Sequence, residues 1–399
     1  MTRARALTFR GRTTPLCLHQ TLNGAPEFLS ADLLERLPEE LRPRGWQLTD
    51  THFIAKPGSG RSKKAKGTAD PSETVQRVSG SVKTFLNFGE SLTVACAREC
   101  GGGHMGPVNK KHLTIATHAG NVRVTPEVYA QRQLRLRPDI VCALSAESLL
   151  APSRNRASRN LHLSRDWLAR QCAEFAKVEA EKRPQLFATI QGGSDLECRR
   201  VATEQALLTI QQSNGVVTGV LVGGLECGET RAERQRLLQQ VVSRLPAEMP
   251  RMMNSSGHPL DVLDAVEAGI DLIDCAWPHE LTKQGLFATF ATDPLQGSSP
   301  QSKLNVRDES LSLDTRTLVC EGECSDADLQ AVRAMQVPEF AYSRAYVHHL
   351  FTAGEMLGMI VLDLHNTMWY ERFFAAIRRH IEAGTFVDFR SAFEKQFHD

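Results

Sequence analysis

The segment GIDLIDCAWPHELTKQG, residues 269–285, decides how the chain is read. An apolar run at 270–273 carries one acid, Asp271, and is followed by a second, Asp274. It then breaks through Cys275, Ala276 and Trp277 at Pro278. The pattern predicts a short buried strand whose last residue is a carboxylate, Asp274, emptying into a loop. In parallel β/α proteins the C-terminal ends of the strands are where ligands bind and chemistry happens. An acid there is a candidate nucleophile or general base. The competing account is a structural acid that caps a helix or pairs with an arginine.

Working outward, the pattern alternates. Helical spacing covers 259–268, 230–245, 195–212 and 164–182, the last capped by Ser164 with Asp166 in its first turn. Buried strands are predicted at 251–254, 216–222, 186–190 and 139–144. A further helix at 124–135 opens with Thr125 as cap and Pro126 at the first helical position. At least five such units are visible, which means βαβ repeats and a parallel sheet. Two strands run into paired glycines: Gln191 leads into Gly192 and Gly193, and Gly223 and Gly224 precede Leu225. Glycine there lets a flat ligand or a backbone approach closely. Glycine breaks that follow the strands fit an α/β protein of the (β/α)₈ TIM-barrel type with its site at one face. A doubly wound open sheet is the alternative, but it normally shows a diagnostic glycine loop early in the chain.

The flanks are less regular. Residues 28–41 read as a helix with an acidic face. Residues 57–70, PGSGRSKKAKGTAD, read as a basic flexible loop, and 98–107, RECGGGHMGP, as a loop near a ligand. His104 and Cys100 alone do not make a metal site. Residues 291–325 lose periodicity. Helices follow at 342–357 and 359–379, with an amphipathic segment at 390–397. The expected organisation is a barrel with an irregular N-terminal part at 1–290, a small inserted subdomain with an interface helix at 291–366, and closing helices at 367–399.

With 399 residues, 41% apolar and 23% charged, the composition is that of an ordinary globular protein. A net charge of +1 gives no global signature for nucleic acid, so any such contact must come from local patches. Ten scattered cysteines fit reduced thiols better than a disulfide framework. The basic N-terminus lacks the apolar stretch of a secretory signal, and no apolar run is long enough to span a bilayer. A cytoplasmic protein is expected, with nuclear or mitochondrial-surface association as alternatives.

The motifs IQGG at 190–193, VGGL at 222–225, GIDLIDC at 269–275, YSRAYVHHL at 342–350 and HN at 365–366 occur in an order that resembles the tRNA-guanine transglycosylases. VTPEVY at 124–129 and DIVCAL at 139–144 also fit. The resemblance covers roughly residues 120–380. It implies a (β/α)₈ barrel with a small zinc-binding subdomain, acting on tRNA to replace the wobble guanine by queuine or its precursor. By resemblance Asp274 occupies the position of the nucleophile that attacks the ribose. Gln191, Gly192, Gly193, Gly223, Gly224 and Leu225 line the base pocket.

The departures from the pattern are specific. Residues 85–120 contain no Asp, so a D-S-G-G-F-Q motif is absent. Where catalytic members read A-L-D-E, this chain reads Ala143-Leu144-Ser145-Ala146, which puts Ser145 in place of a base-recognising carboxylate. An arginine-containing loop after the nucleophile is replaced by Pro278-His279-Glu280-Leu281-Thr282-Lys283. This loss pattern is similar to the non-catalytic accessory subunit of the eukaryotic heterodimer. The implied partners are a catalytic subunit and a tRNA with a GUN anticodon. Arg344, Tyr346, His349 and Lys283 are candidate tRNA or partner contacts, with Arg378, Arg379 and the basic loop at 61–66 as further candidates. An active transglycosylase using Asp274, in the form of a homodimer, is the other reading. The family's zinc cysteines would fall near Ala334, Gln336 and Glu339, and none is Cys. Cys320, Cys324 and His365 remain as candidate ligands, three where structural zinc takes four. Loss of zinc is the favoured reading and Zn²⁺ binding the alternative.

Overall fold

The computed structural model describes residues 4–54, 70–97, 105–117, 120–146, 154–319, 330 and 341–397. Its centre is a closed barrel of eight parallel strands in sequential order. We label them β1 (Leu16–Gln20), β2 (Gly45–Thr49), β3 (Leu92–Cys96), β4 (Ile140–Cys142), β5 (Gln185–Ile190), β6 (Val217–Val222), β7 (Arg251–Met253) and β8 (Leu272–Cys275). The ring closes where β8 pairs with β1, with Asp274 opposite Leu18. The expected TIM-barrel class is the observed one.

The principal helices are α1 (Pro126–Leu136), α2 (Arg154–Phe175), α3 (Leu196–Gln212), α4 (Arg231–Val242), α5 (Pro259–Ala268), α6 (Trp277–Gln284), α7 (Arg344–Ala353), α8 (Met356–Glu382) and α9 (Phe386–Gln396). The caps explain several starts. The Thr125 hydroxyl accepts from Val128 N, Asp195 accepts from Cys198 N, and Thr230 with Glu233 forms a reciprocal capping box.

Alternation along each strand sorts residues between two layers. Leu18, Val94, Ile140, Phe187, Leu221, Met252 and Leu272 pack together inside the barrel. Their neighbours, such as Cys17, Val141, Ala188, Val220, Met253 and Ile273, face the helices in a second, larger cluster. A third group, including Phe287, Val306, Leu311, Val347 and Leu362, forms the small subdomain around the hairpin of Leu286–Ala288 and Lys303–Asn305. A three-stranded antiparallel sheet, Met105–Val108, Leu113–Thr117 and Gly120–Val124, stands outside the barrel before α1.

Several local readings are corrected. Residues 277–284 form helix α6 instead of a loop, because Pro278 sits in the first turn where its missing N–H costs nothing. Gly285 ends that helix in the left-handed region. Helix α2 starts at Arg154, and Ser164 lies within it, where its Oγ accepts from Ala146 N at 3.0 Å instead of capping. The segment 28–41 holds only a five-residue helix, Ala31–Glu35, and a 3₁₀ turn, Glu39–Leu41, separated across Pro38. A boundary at 366/367 falls inside the 27-residue α8. The basic loop at 61–66, Cys100, His104, Cys320 and Cys324 lie outside the described residues.

Candidate active site

The two acids of the opening segment lie at opposite ends of β8. Asp271 belongs to the N-terminal end. Its carboxylate accepts from Arg5 Nε at 3.0 Å, Thr14 Oγ1 at 3.3 Å and Arg251 N at 2.8 Å. Asp139 ties the same end of the barrel, accepting from Thr93 N and Thr93 Oγ1 at 2.9 Å and pairing with Arg10. These acids stitch neighbouring strands and chain ends together, which is a stability role.

Asp274 is two residues beyond inward-facing Leu272, so the strand period turns it inward as well. It is buried at the C-terminal mouth. The strand continues one residue further, to Cys275. Asp274's negative charge is felt across the barrel, where it contributes to raising the thiol pKa of Cys96, behind the hydrogen bond with Cys142 and burial.

Ser145 and Gln191 meet at the same mouth, and both are buried. Gln191 Nε2 donates to Ser145 Oγ at 3.1 Å. Gly224 has φ +62, a left-handed conformation that favours glycine, and a Cβ there would stand 2.5 Å from Gln191 Oε1 and push that amide aside. Sequence reasoning missed the residue that holds these loops. Arg199, on α3 and fully buried, donates to the carbonyls of Gly193 at 2.9 Å, Gly223 at 2.7 Å and Gly224 at 2.7 Å. One guanidinium therefore fixes both glycine loops. Its signal was present only as an arginine on the apolar side of a helix whose cap, Asp195, lies four residues earlier.

The loop after β6 is also tied to the loop after β7. Glu226 accepts from Ser255 Oγ and from Ser256 N, both at 2.6 Å. Arg234 pairs with Glu229 and Asp261 beneath it. On the far side, Tyr370 of α8 donates its hydroxyl to the Gly257 carbonyl.

The segment after β8 is locked rather than open. His279 bridges Glu27 at 2.7 Å and Asp363 at 3.3 Å. Burial opposes its protonation, but the Asp363 and Glu27 carboxylates outweigh this and raise its pKa above the ordinary value. Lys283 is exposed and shared between Glu280 and Glu27. Of the other expected surface contacts, Tyr346 and His349 are exposed on α7. Arg344 is not: it is 1% exposed, and donates to the carbonyls of Thr317 and Leu318 inside the subdomain. Arg378 is likewise buried and donates to the Pro15 carbonyl, and Arg379 pairs with Asp293.

A family model described as queuine tRNA-ribosyltransferase matches residues 61–399. The chain belongs to this family. Curated relatives named queuine tRNA-ribosyltransferase include that of Azoarcus sp., 28% identical over 296 residues, 74% of this chain and 72% of the relative. That of Leptothrix cholodnii is 30% identical over 307 residues, 73% of each chain. That of Thermus thermophilus is 30% identical over 298 residues, 74% of this chain and 69% of the relative.

Of the expected zinc set, only His365 lies among the described residues. His365 Nε2 bonds the Ala288 carbonyl at 2.8 Å, and the ring stacks on Trp369 and meets Phe287 edge-on. Burial pushes its pKa down to about 4, aided by the nearby Arg344 cation. Among the described residues His365 belongs to no cluster of three His, Cys, Asp or Glu; the group that does form is Cys17, His19 and Glu371, where a metal could be held.

No helix among the described residues is long and apolar enough to cross a membrane.

Proposed function

We propose that this chain is the non-catalytic accessory subunit of a queuine tRNA-ribosyltransferase. It pairs with a catalytic subunit, binds tRNA with a GUN anticodon and supports exchange of the wobble guanine for queuine. The observation that carries this reading is the Gln191–Ser145 hydrogen bond. A purine edge is read by groups left unsatisfied until the base arrives, and such a site rejects or loses its ligand when one partner is missing. Here the carboxylate position holds a hydroxyl, and the opposing amide already donates to it. The α6 segment adds support, because its cations are committed to Glu27, Asp363 and Glu280 instead of a phosphate backbone. Tyr346 and His349 on α7 are the surface groups this reading assigns to tRNA or the partner subunit.

Asp274 favours a second reading, an active transglycosylase with Asp274 as nucleophile and a homodimeric assembly. Labelled-guanine exchange into tRNA separates the two. The accessory reading expects no exchange by the chain alone. It expects exchange when a catalytic homologue is added, unchanged by Asp274→Ala in this chain. Exchange by this chain alone, abolished by Asp274→Ala, would overturn it.

A further inference from the structure

The Cys17–His19–Glu371 group lies on the outer side of β1, facing α8 instead of the barrel interior. Residues 17 and 19 share the outward face of one strand, as a period of two requires. Glu371 reaches them from α8, more than 350 positions later in the chain. One ligand-type atom from each lies within 4.8 Å of the other two, and all three residues are buried. A tetrahedral zinc with bonds of about 2.0–2.3 Å places its donors roughly 3.3–3.8 Å apart, so the group needs only a small contraction to close on an ion.

The hydrogen bonding of the group is incomplete in a way a cation would complete. Glu371 is fully buried, and its Oε1 is served by His19 Nε2 at 3.0 Å and Arg44 N at 3.3 Å. Its Oε2 has no hydrogen-bond partner among the described residues. A dry carboxylate oxygen costs free energy unless something pairs with it. Cys17 supplies a thiol beside it, whose pKa is pushed up by burial and by the neighbouring Cys275 on β8. A mixed S, N and O donor set of this kind suits zinc better than magnesium or calcium, which take oxygen ligands.

We propose that Cys17, His19 and Glu371 bind a divalent zinc-class cation. A dication with the Cys17 thiolate and the Glu371 carboxylate is neutral, and the buried Arg378 guanidinium, whose charge bears on both Glu371 and Cys17, stands close by. On binding, Cys17 Sγ loses its proton to solvent, His19 Nε2 gives up its hydrogen bond to Glu371, and both turn to the metal; no redox change is involved. A cavity of about 870 Å³ lined in part by Arg44 and Trp46 lies beside the group. The Trp46 ring stands 5.6 Å from that of His19. This site shares no residue with Cys320, Cys324 and His365, and it does not depend on the accessory reading.

The test uses the purified full-length chain, stripped with a chelator and titrated with Co²⁺, then with Zn²⁺ in competition. The expected result is one Co²⁺ per chain with a thiolate-to-cobalt absorption band, displaced by Zn²⁺. Cys17→Ser should abolish the band, and Glu371→Gln, which keeps the shape of the side chain, should weaken binding by at least about tenfold. The Cys320→Ser/Cys324→Ser double variant should bind as the parent does. Zn²⁺ should raise the melting temperature of the parent more than that of Glu371→Gln at the same concentration, a comparison that stands even where Cys17→Ser fails to fold. No uptake by the parent, an unchanged band in Cys17→Ser, or loss of the band in the Cys320/Cys324 variant would each overturn the proposal.

Discussion

Replacing Arg199 by methionine is the sharpest test of how the mouth of the barrel is built. Methionine keeps most of the aliphatic stem, so the loss is confined to the guanidinium. Three carbonyls, of Gly193, Gly223 and Gly224, sit 2.7–2.9 Å from it and would lose their donor. Each buried carbonyl left dry costs about 1–3 kcal/mol. Removing a cation that was itself costly to bury returns part of this, leaving a net loss of about 3 kcal/mol. Against a typical total of about 5–15 kcal/mol, that is a large fraction. The assay is urea unfolding followed by circular dichroism, with Arg200→Met as the control. Arg200 is the next residue, is paired only on the helix surface with Glu197 and Glu204, and should leave the midpoint in place. Arg199→Lys should fall between the parent and Arg199→Met, because an ammonium cannot span three carbonyls as a fork does. An unmoved midpoint in Arg199→Met, or an equal shift in Arg200→Met, would refute the assignment of Arg199 as the clamp of both glycine loops.

Other outcomes follow from the same interactions. Asp271→Ala removes the buried anchor of Arg5 and of the Arg251 amide and should lower stability by about 3 kcal/mol in denaturant titration. His279 has its pKa raised in the fold. Its contribution is therefore complete below the unfolded value near 6.5 and is lost as pH rises through the folded value. His279→Gln should lower the melting temperature more at about pH 6 than at about pH 8.5, and an equal loss at both would count against the Glu27–Asp363 bridge. His365 is displaced the other way, to about 4, so the unfolded chain takes up a proton that the fold refuses. Stability falls as pH drops from about 6.5 toward 4, and His365→Gln should flatten that slope in pH-dependent melts.

The sequence revealed five of the eight strands because their helices are long and their apolar runs unbroken. β1, β2 and β3 escaped it. β2 and β3 carry Gln47, Thr49 and Cys96 in place of a clean apolar alternation, and the elements between β1 and β3 are short: Ala31–Glu35, Glu39–Leu41, Pro71–Ser79 and Val82–Phe85. Helix α2 was entered ten residues late because RNRASRNLHL, at 154–163, is too polar to show a period. Gly358 looked like a break between two helices. It lies inside α8, where a Cβ would stand 2.9 Å from the Phe351 ring, so it permits a close crossing with α7. The inward position of Asp274 and the strand-end place of Gln191 were legible from period and spacing. The clamp by Arg199 and the group around Glu371 were not, because each depends on contacts that no local pattern records.

The last long helix has a consequence for how the chain is made. β1 leaves the ribosome long before its edge partner β8, which lies more than 250 residues downstream, and the helix covering its outer face spans Met356–Glu382. A nascent chain must therefore carry Leu16–Gln20 uncovered while the rest of the barrel is synthesised, and the ring can be sealed only once α8 has emerged. A messenger truncated before α8 yields a protein with an open seam along β1, a natural substrate for chaperones and proteases, so abundance of this protein should be unusually sensitive to lesions in that helix.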